Sequence, residues 1–313
     1  MGTAVGGRLM LLDTASLYFR AFYGVPDSIT APDGTPVNAV RGLLDFIAHL
    51  IAVRSPDRLV ACLDADWRPA FRVALLPSYK KHRLANPATG AENVPAALEA
   101  QIPIILDVLT ALGLAHVGVP GFEADDVIGT LTAREPGPVD VVTGDRDLFQ
   151  LVDDARGVRV LYTARGVGRH EVVDESAVRA KYGIPGRSYA EFATLRGDPS
   201  DGLPGVAGIG DKTAATLIGR FGTVEGLLEA IDDPTAEMSP AIRRRLAEAA
   251  DYLKVAPDVV RVRSDVPVPD LDDALPRDPR DPEALVALSE RWNLDNPLNR
   301  VLNALVANES RPT

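Results

Sequence analysis

The chain has a single cysteine, Cys62, set inside an apolar run. An intrachain disulfide is therefore excluded, and a small core residue is the expected role rather than a reactive thiol. Histidines number only 4, and His82 has no second histidine near it in sequence, so it is read as a surface side chain. No apolar stretch is long enough to span a bilayer. The opening Met1-Gly2-Thr3-Ala4-Val5-Gly6-Gly7 lacks the charged start and long apolar core of a signal peptide, so a cytoplasmic protein without membrane contact is expected. Basic charge is also short. Lys and Arg total 33 against 44 Asp and Glu, a formal charge of −11, which taken alone argues against a polyanionic partner.

What the chain has in quantity is carboxylate, and its placement matters more than its total. Asp13 closes Leu9-Met10-Leu11-Leu12-Asp13, and Asp64 closes Val60-Ala61-Cys62-Leu63-Asp64. Glu123, Asp125 and Asp126 follow Gly121-Phe122; Asp145 and Asp147 follow Thr143-Gly144; Asp198 and Asp201 follow Gly197. Side chains at the carboxyl ends of parallel strands face one crevice. So many carboxylates repel one another unless cations neutralise them, which points to divalent magnesium or manganese on oxygen ligands. With that cluster neutralised, the remaining surface can still carry a basic footprint.

Apolar runs at Arg8 to Asp13, Arg58 to Asp64, Val139 to Asp145 and Val158 to Thr163 have the length and branched content of buried strands. Helical patterns lie between them at Val37 to Val53, Val94 to Leu112 and Glu123 to Arg134. That alternation predicts an α/β fold: a mostly parallel twisted sheet flanked by helices. Leu84 to Pro95 reads as a loop. After Gly186 only helical patterns remain, at Ser188 to Arg196, Asp211 to Phe221, Thr223 to Ile231, Pro240 to Leu253 and Pro282 to Asn293. A boundary near residue 185 divides an α/β part, 1–185, from an all-helical part, 186–313. Val266 to Pro282, rich in Pro and Asp, reads as extended surface chain.

Several motifs carry the chemistry. Three acids in the first turn of a helix at 123–126 suit the positive end of its dipole with no function at all, but two other acidic strand ends beside them favour a metal site. Asp145 and Asp147, two residues apart after a strand, can aim at one ion, and either can also cap the helix that follows. In Gly202-Leu203-Pro204-Gly205-Val206-Ala207-Gly208-Ile209-Gly210-Asp211-Lys212-Thr213, Gly208 and Gly210 let backbone approach a ligand. The helix opening at Asp211 offers free N–H groups, and Lys212 adds charge. Such a cradle holds phosphates without reading bases. Lys80, Lys81 and Arg83, with Arg68 and Arg72 upstream, form the clearest basic patch, and Tyr79 among them could stack on an unpaired base.

In this order the motifs resemble the bacterial 5′-nuclease and flap endonuclease family, the type found as the 5′-nuclease domain of DNA polymerase I and as stand-alone enzymes. The likeness runs from about Leu9 to Leu271. It rests on the strand-end Asp13 and Asp64, an intact Glu123-Ala124-Asp125-Asp126, the pair Asp145 and Asp147, and Gly197-Asp198-Pro199-Ser200-Asp201. All nine acids are present. Tyr79, Lys80 and Arg83 match a Tyr-Lys-x-x-Arg motif that opens a helical arch, expected here near 77–100, and Arg72 matches a preceding Phe-Arg. Gly205 to Lys212 matches a helix-three-turn-helix that grips duplex DNA, expected over about 188–221, with Gly208, Gly210, Lys212 and Thr213 at the contact.

The resemblance implies two or three Mg²⁺ or Mn²⁺ ions, with Asp13, Asp64, Glu123 and Asp125 on one and Asp145, Asp147 and Asp201 on another. Asp125 is the candidate bridge, Asp126 and Asp198 stand farther out, and a potassium ion is expected at the helix-three-turn-helix. Lys80 and Arg83 are expected to steer the scissile phosphate. The implied activity is a structure-specific 5′ flap endonuclease and 5′ to 3′ exonuclease of DNA replication and repair, acting on flaps, nicks and single-stranded 5′ ends. A nucleoid-associated monomer, recruited to a DNA polymerase or acting alone, is the expected setting. The alternatives are a ribonuclease acting on RNA primers or RNA–DNA hybrids and a non-catalytic junction-binding module. Two departures stand out: Thr14 where relatives usually have Gly, and Arg41 where they often carry an aromatic or apolar residue.

Overall fold

The computed structural model describes residues 7–310, so the residues that carry most of the signal-peptide reading lie outside it. Among the described residues eight strands form, β1 Leu9–Asp13, β2 Arg58–Cys62, β3 Leu84–Asn86, β4 Ala91–Glu92, β5 Ala115–Val117, β6 Val139–Thr143, β7 Val158–Tyr162 and β8 Glu171–Val173. Six build one sheet in the order β5-β2-β1-β6-β7-β8, all neighbours parallel except the antiparallel β7–β8 pair. The short β5 and β8, at the two edges, carry too few apolar residues to stand out in the sequence.

The helices are α1 Thr14–Gly24, α2 Asn38–Arg54, α3 Ala70–Leu75, α4 Ala96–Glu99, α5 Ile102–Leu112, α6 Ala124–Arg134, α7 Glu175–Tyr182 and α8 Tyr189–Arg196. They continue as α9 Asp211–Phe221, α10 Val224–Asp232, α11 Pro240–Glu248, α12 Ala250–Leu253, α13 Ala256–Val260, α14 Pro282–Trp292 and α15 Asp295–Glu309. The expected helix over Val94 to Leu112 is two helices, α4 and α5, with Pro103 in the first turn of the second. Proline there has no N–H to lose and a φ suited to a helix start.

Residues of β1 alternate between the two faces. Leu9 and Leu11 enter one core with α6, α8 and α9, while Met10 and Leu12 enter another with α2, α5, α14 and α15. This period of two buries both faces. The division expected at residue 185 is not a division of the packing: α15 lies along α2, and α14 packs on α5. The chain thus returns to cover the sheet face opposite α6.

Between 77 and 100 no long helical arch forms. The segment holds a single 3₁₀ turn, Lys81–Arg83, the antiparallel β3–β4 hairpin and the four-residue α4. Strand order reverses between β2 and β6 on either side of β1, which opens the crevice beyond the carboxyl ends of β1 and β6.

Candidate metal centre

Each acid reaches the crevice by its place on an element. Asp13 ends β1 and caps α1, accepting from the Ser16 N–H at 3.1 Å and from Thr143 Oγ1 at 2.7 Å. Asp64 follows β2 and accepts the Ala124 N–H at 2.8 Å, at the start of α6. Glu123 is the N-cap of α6 and Asp125 lies in its first turn. Asp145, two residues past β6, accepts the Asp147 N–H at 2.9 Å. Asp198 accepts the Ser200 N–H at 2.9 Å in a tight loop closed by pairing with Leu203.

One cleft is lined by Asp13, Asp64, Glu123, Asp125, Asp145 and Asp198, with Lys80 and Arg83 at its rim. Asp147 and Asp201 are buried and do not line it. Among the further lining residues that sequence reading missed, four bring charge or an aromatic wall from outside the acidic motifs' carboxylates. Glu92, on β4, adds a carboxylate; Trp67 and Tyr162 add aromatic walls; Arg146 stands between the two acids of its motif. Only Arg146 had a signal, its place inside Asp-x-Asp. The others arrive from segments that read as loop or strand.

Burial first, and like charge second, raises the carboxylates of the cleft. Burial, then Asp64, pushes Asp13 up to about 7. Burial raises Asp125 well above the carboxylate range, with Asp13 and Asp145 adding to it, and raises Asp147, with Asp145 and Asp201 adding. Asp145 is raised by burial and by Asp201. Among the described residues, no three such side chains close on a single point as a finished cage. The donor set nonetheless fits hard divalent cations: it is all oxygen, and the buried Asp147 Oδ1 has no hydrogen-bond partner.

Three sequence assignments change. Arg72 is only 2 % exposed and touches no open surface. Its Nη1 donates to Glu123 Oε2 and Asp126 Oδ2, and Nη2 to Asp126 Oδ1, each at 2.7 Å. Asp126, 0 % exposed, also accepts the Arg263 N–H at 2.9 Å, so its oxygens belong to this network and it does not line the cleft. Tyr79 is buried with its hydroxyl donating to Glu123 at 2.8 Å, so its ring is not placed to stack on a base. Arg72 and Tyr79 thus fold inward to hold Glu123, with which Lys80 also pairs.

Lys80 and Arg83 remain at the cleft. Lys80 pairs with Glu123; burial alone would lower its pKa, but Glu123, Tyr79 and Asp201 outweigh that and hold the ammonium well above its ordinary range. Lys80 adopts a left-handed φ of 46°, and its N–H donates to the Asp201 carbonyl at 2.9 Å. Arg83 reaches the Asp201 carboxylate at 2.9 Å. Lys81 is exposed.

The loop that carries Asp198 and Asp201 runs on into the glycine-rich turn. Gly205 has φ +65°, and any Cβ there would meet the Arg196 carbonyl. Gly208 has φ +75° and its carbonyl accepts from Arg245 Nη1 at 3.0 Å. Gly210 is the N-cap of α9, with open space around it, and Lys212 and Thr213 lie in the first turn. The unpaired N–H groups of that turn are the anion-binding feature.

Sheet, cleft and turn together are those of a nucleic-acid hydrolase, and the comparisons place it. The profile of the 5′-3′ exonuclease N-terminal resolvase-like domain matches residues 8–183, and that of the C-terminal SAM fold matches 184–283. The chain belongs to the 5′-3′ exonuclease family. It is 64 % identical to a 5′-3′ exonuclease of Streptomyces coelicolor over 95 % of this chain and 100 % of that one. To the 5′-3′ exonuclease of Mycobacterium tuberculosis it is 50 % identical over 95 % of this chain and 97 % of the relative. A DNA polymerase I of the same species is 38 % identical over 96 % of this chain but only 32 % of its own length.

Among solved structures, the bacteriophage T5 flap endonuclease in complex with DNA and metal ions superimposes with a TM-score of 0.62 at 17 % identity, covering 97 % of this chain and 100 % of the other. Human GEN1 bound to Holliday-junction DNA gives 0.62 at 18 % identity, over 97 % and 72 %. At such identities the likeness is one of fold.

Proposed function

We propose that the chain is a structure-specific 5′ flap endonuclease with 5′ to 3′ exonuclease activity, working on flaps, nicks and free 5′ ends in Okazaki-fragment maturation and excision repair. The supporting observation is the direct join of three parts. The acidic cleft, the basic rim of Lys80 and Arg83, and the turn at 205–213 are linked by the one loop that holds Asp198 and Asp201.

Asp13, Asp64, Glu123, Asp125, Asp145, Asp147 and Asp201 would hold magnesium or manganese, with Asp198 supporting the loop. Bound there, such ions activate water and stabilise the departing oxygen. Lys80 and Arg83 position the scissile phosphate from the rim and offset the charge that builds on it. Gly208, Gly210, Lys212 and Thr213 hold duplex backbone of any sequence, and backbone carbonyls of that turn would hold a potassium ion. The product carries a 5′ phosphate. The identity to part of a DNA polymerase I supports recruitment to a polymerase, with the chain itself a monomer.

The test is cleavage of one 5′-labelled strand presented as a flap, as a nicked duplex and as a free single strand, in magnesium and in manganese. Asp145→Asn serves as the control and is expected to lose about a hundredfold or more of turnover while keeping duplex binding. Junction cutting that vanishes in the variant supports the proposal. Cutting of only an RNA strand would make the protein a ribonuclease, and binding with no cutting at all would make it a junction-binding module.

A further inference from the structure

We propose a second backbone-binding surface on the β7 side of the cleft, formed by Arg146, Arg165, Arg169 and Lys181, which holds the nucleic-acid strand where it continues past the cut bond. This deepens the nuclease reading and rests on it. Lys80 meets the cleft at Glu123, the start of α6, and Arg83 meets it at Asp201 in the loop before α9. Tyr162 ends β7, two strands from β1 on the side away from β2. The two basic groups therefore flank the carboxylates from different sides.

Four observations carry the surface. Arg165, Arg169 and Lys181 line one depression together with Tyr162, Ala164, His170 and a single acid, Glu171. Tyr162 also lines the metal cleft, as does Arg146, so the Tyr162 ring is a wall shared by depression and cleft. Arg146, Arg165, Arg169 and Lys181 are all exposed, and among the described residues none has a carboxylate within ion-pair reach. In a chain of net charge −11, whose arginines at positions 8, 54, 58, 72, 261 and 263 are all paired, four adjacent unpaired cations are a concentration of uncompensated charge.

The backbone holds this group in place. Gly166, at φ 101°, turns the chain into the 3₁₀ turn Val167–Arg169, so that Arg165 and Arg169 face the same depression. Arg20 of α1 ties the loop down, donating to the Ala164 carbonyl at 3.3 Å, and His170 Nδ1 lies 2.8 Å from the Val167 carbonyl. The Lys181 ammonium stands 6.0 Å from the Tyr162 ring and 5.3 Å from that of Tyr182. A half-exposed aromatic ring set among cations is the combination that grips a single strand, through stacking and phosphate contact together.

The experiment compares the parent with Arg165→Gln/Arg169→Gln and with a control pair, Arg277→Gln/Arg300→Gln, which makes the same change in net charge far from the cleft. Binding of a fluorescein-labelled flap duplex is measured in EDTA at several salt concentrations, and cleavage of the same duplex gives KM and kcat. Each lost phosphate contact lowers the salt slope by about 0.9, so the first pair is expected to lower it by about 2 and to raise KM roughly tenfold, with kcat moving much less. The control pair leaves the slope alone. A slope and KM equal to the parent's, or an equal loss in the control pair, overturns the surface while the nuclease reading stands. A parent that neither binds nor cuts the duplex sinks that reading and this one with it.

Discussion

Arg72 grips Asp126 through two N–H···O contacts of 2.7 Å each, and with the same Nη1 it holds Glu123. Asp126 in turn accepts the N–H of Glu123 at 3.3 Å, closing a reciprocal cap on α6. One buried arginine thus fixes the first turn of the helix that presents Glu123 and Asp125 to the cleft. Its Nε also donates to the Val259 carbonyl at 2.9 Å, which anchors α13 to the same point.

Removing that arginine leaves the buried Asp126 without a counter-charge and Glu123 with Lys80 alone. Arg72→Ala should lose roughly 3 to 5 kcal/mol of stability in urea unfolding. The salt dependence of duplex binding by the folded fraction should stay as in the parent. A normal midpoint with a reduced salt slope would return Arg72 to the DNA-contacting face.

Gly202 holds φ +74°, and a Cβ there would run into the Ser78 carbonyl, where the base of the basic rim docks through Ser78 Oγ to the Gly202 carbonyl at 2.9 Å. Both strain and collision are backbone against backbone, so neither is relieved by a rotamer change. Gly202→Ala should displace Lys80 and Arg83 and lower kcat by about tenfold or more while duplex binding holds. Unaltered turnover would show that the rim can shift without consequence.

Lys212 stands in the first turn of α9, beside open backbone at Gly210. Lys212→Ala should weaken binding to duplexes of every sequence alike and reduce the salt slope by about 0.9, the effect of one phosphate contact. An unchanged slope removes Lys212 from the interface.

Carboxylates raised by burial reverse the usual dependence of stability on pH. Asp13 sits at about 7, and Asp125, Asp145 and Asp147 are raised in the same direction by burial and by one another. In the unfolded chain such groups titrate near 4. Between those values the folded protein holds more protons than the unfolded chain, so their contribution is full below about pH 4 and is lost as pH rises through 7 and beyond. The melting temperature of the metal-free protein should fall from about pH 5 to about pH 8. Magnesium or manganese should raise it most at the upper end, because ions bind the folded carboxylates only in their charged form. A melting temperature indifferent to both pH and ion would contradict a shared cation site.

The order of the acids, the four central strands to within two residues, and α9 over Asp211–Phe221 were legible because each rests on a local signal: an apolar run, a turn glycine, a helix start. So was the meeting of Asp13, Asp64 and Asp145 at one cleft, since places at or just past the ends of neighbouring strands carry those side chains to one edge. Tertiary structure alone decided the rest. Arg72 and Tyr79 look like members of an exposed basic patch, yet their partners Glu123 and Asp126 lie 44 to 54 residues away, and no local pattern says which cations will be drawn inside. The edge strands β5 and β8 exist because neighbours supply their hydrogen bonds. The helix α15 buries its apolar face only because α2 is there to receive it, and the cations at 146, 165, 169 and 181 become one surface only when β7 is laid beside β6. Short-range periodicity fixes what a segment can be; burial and charge pairing between distant segments fix what its side chains are free to do.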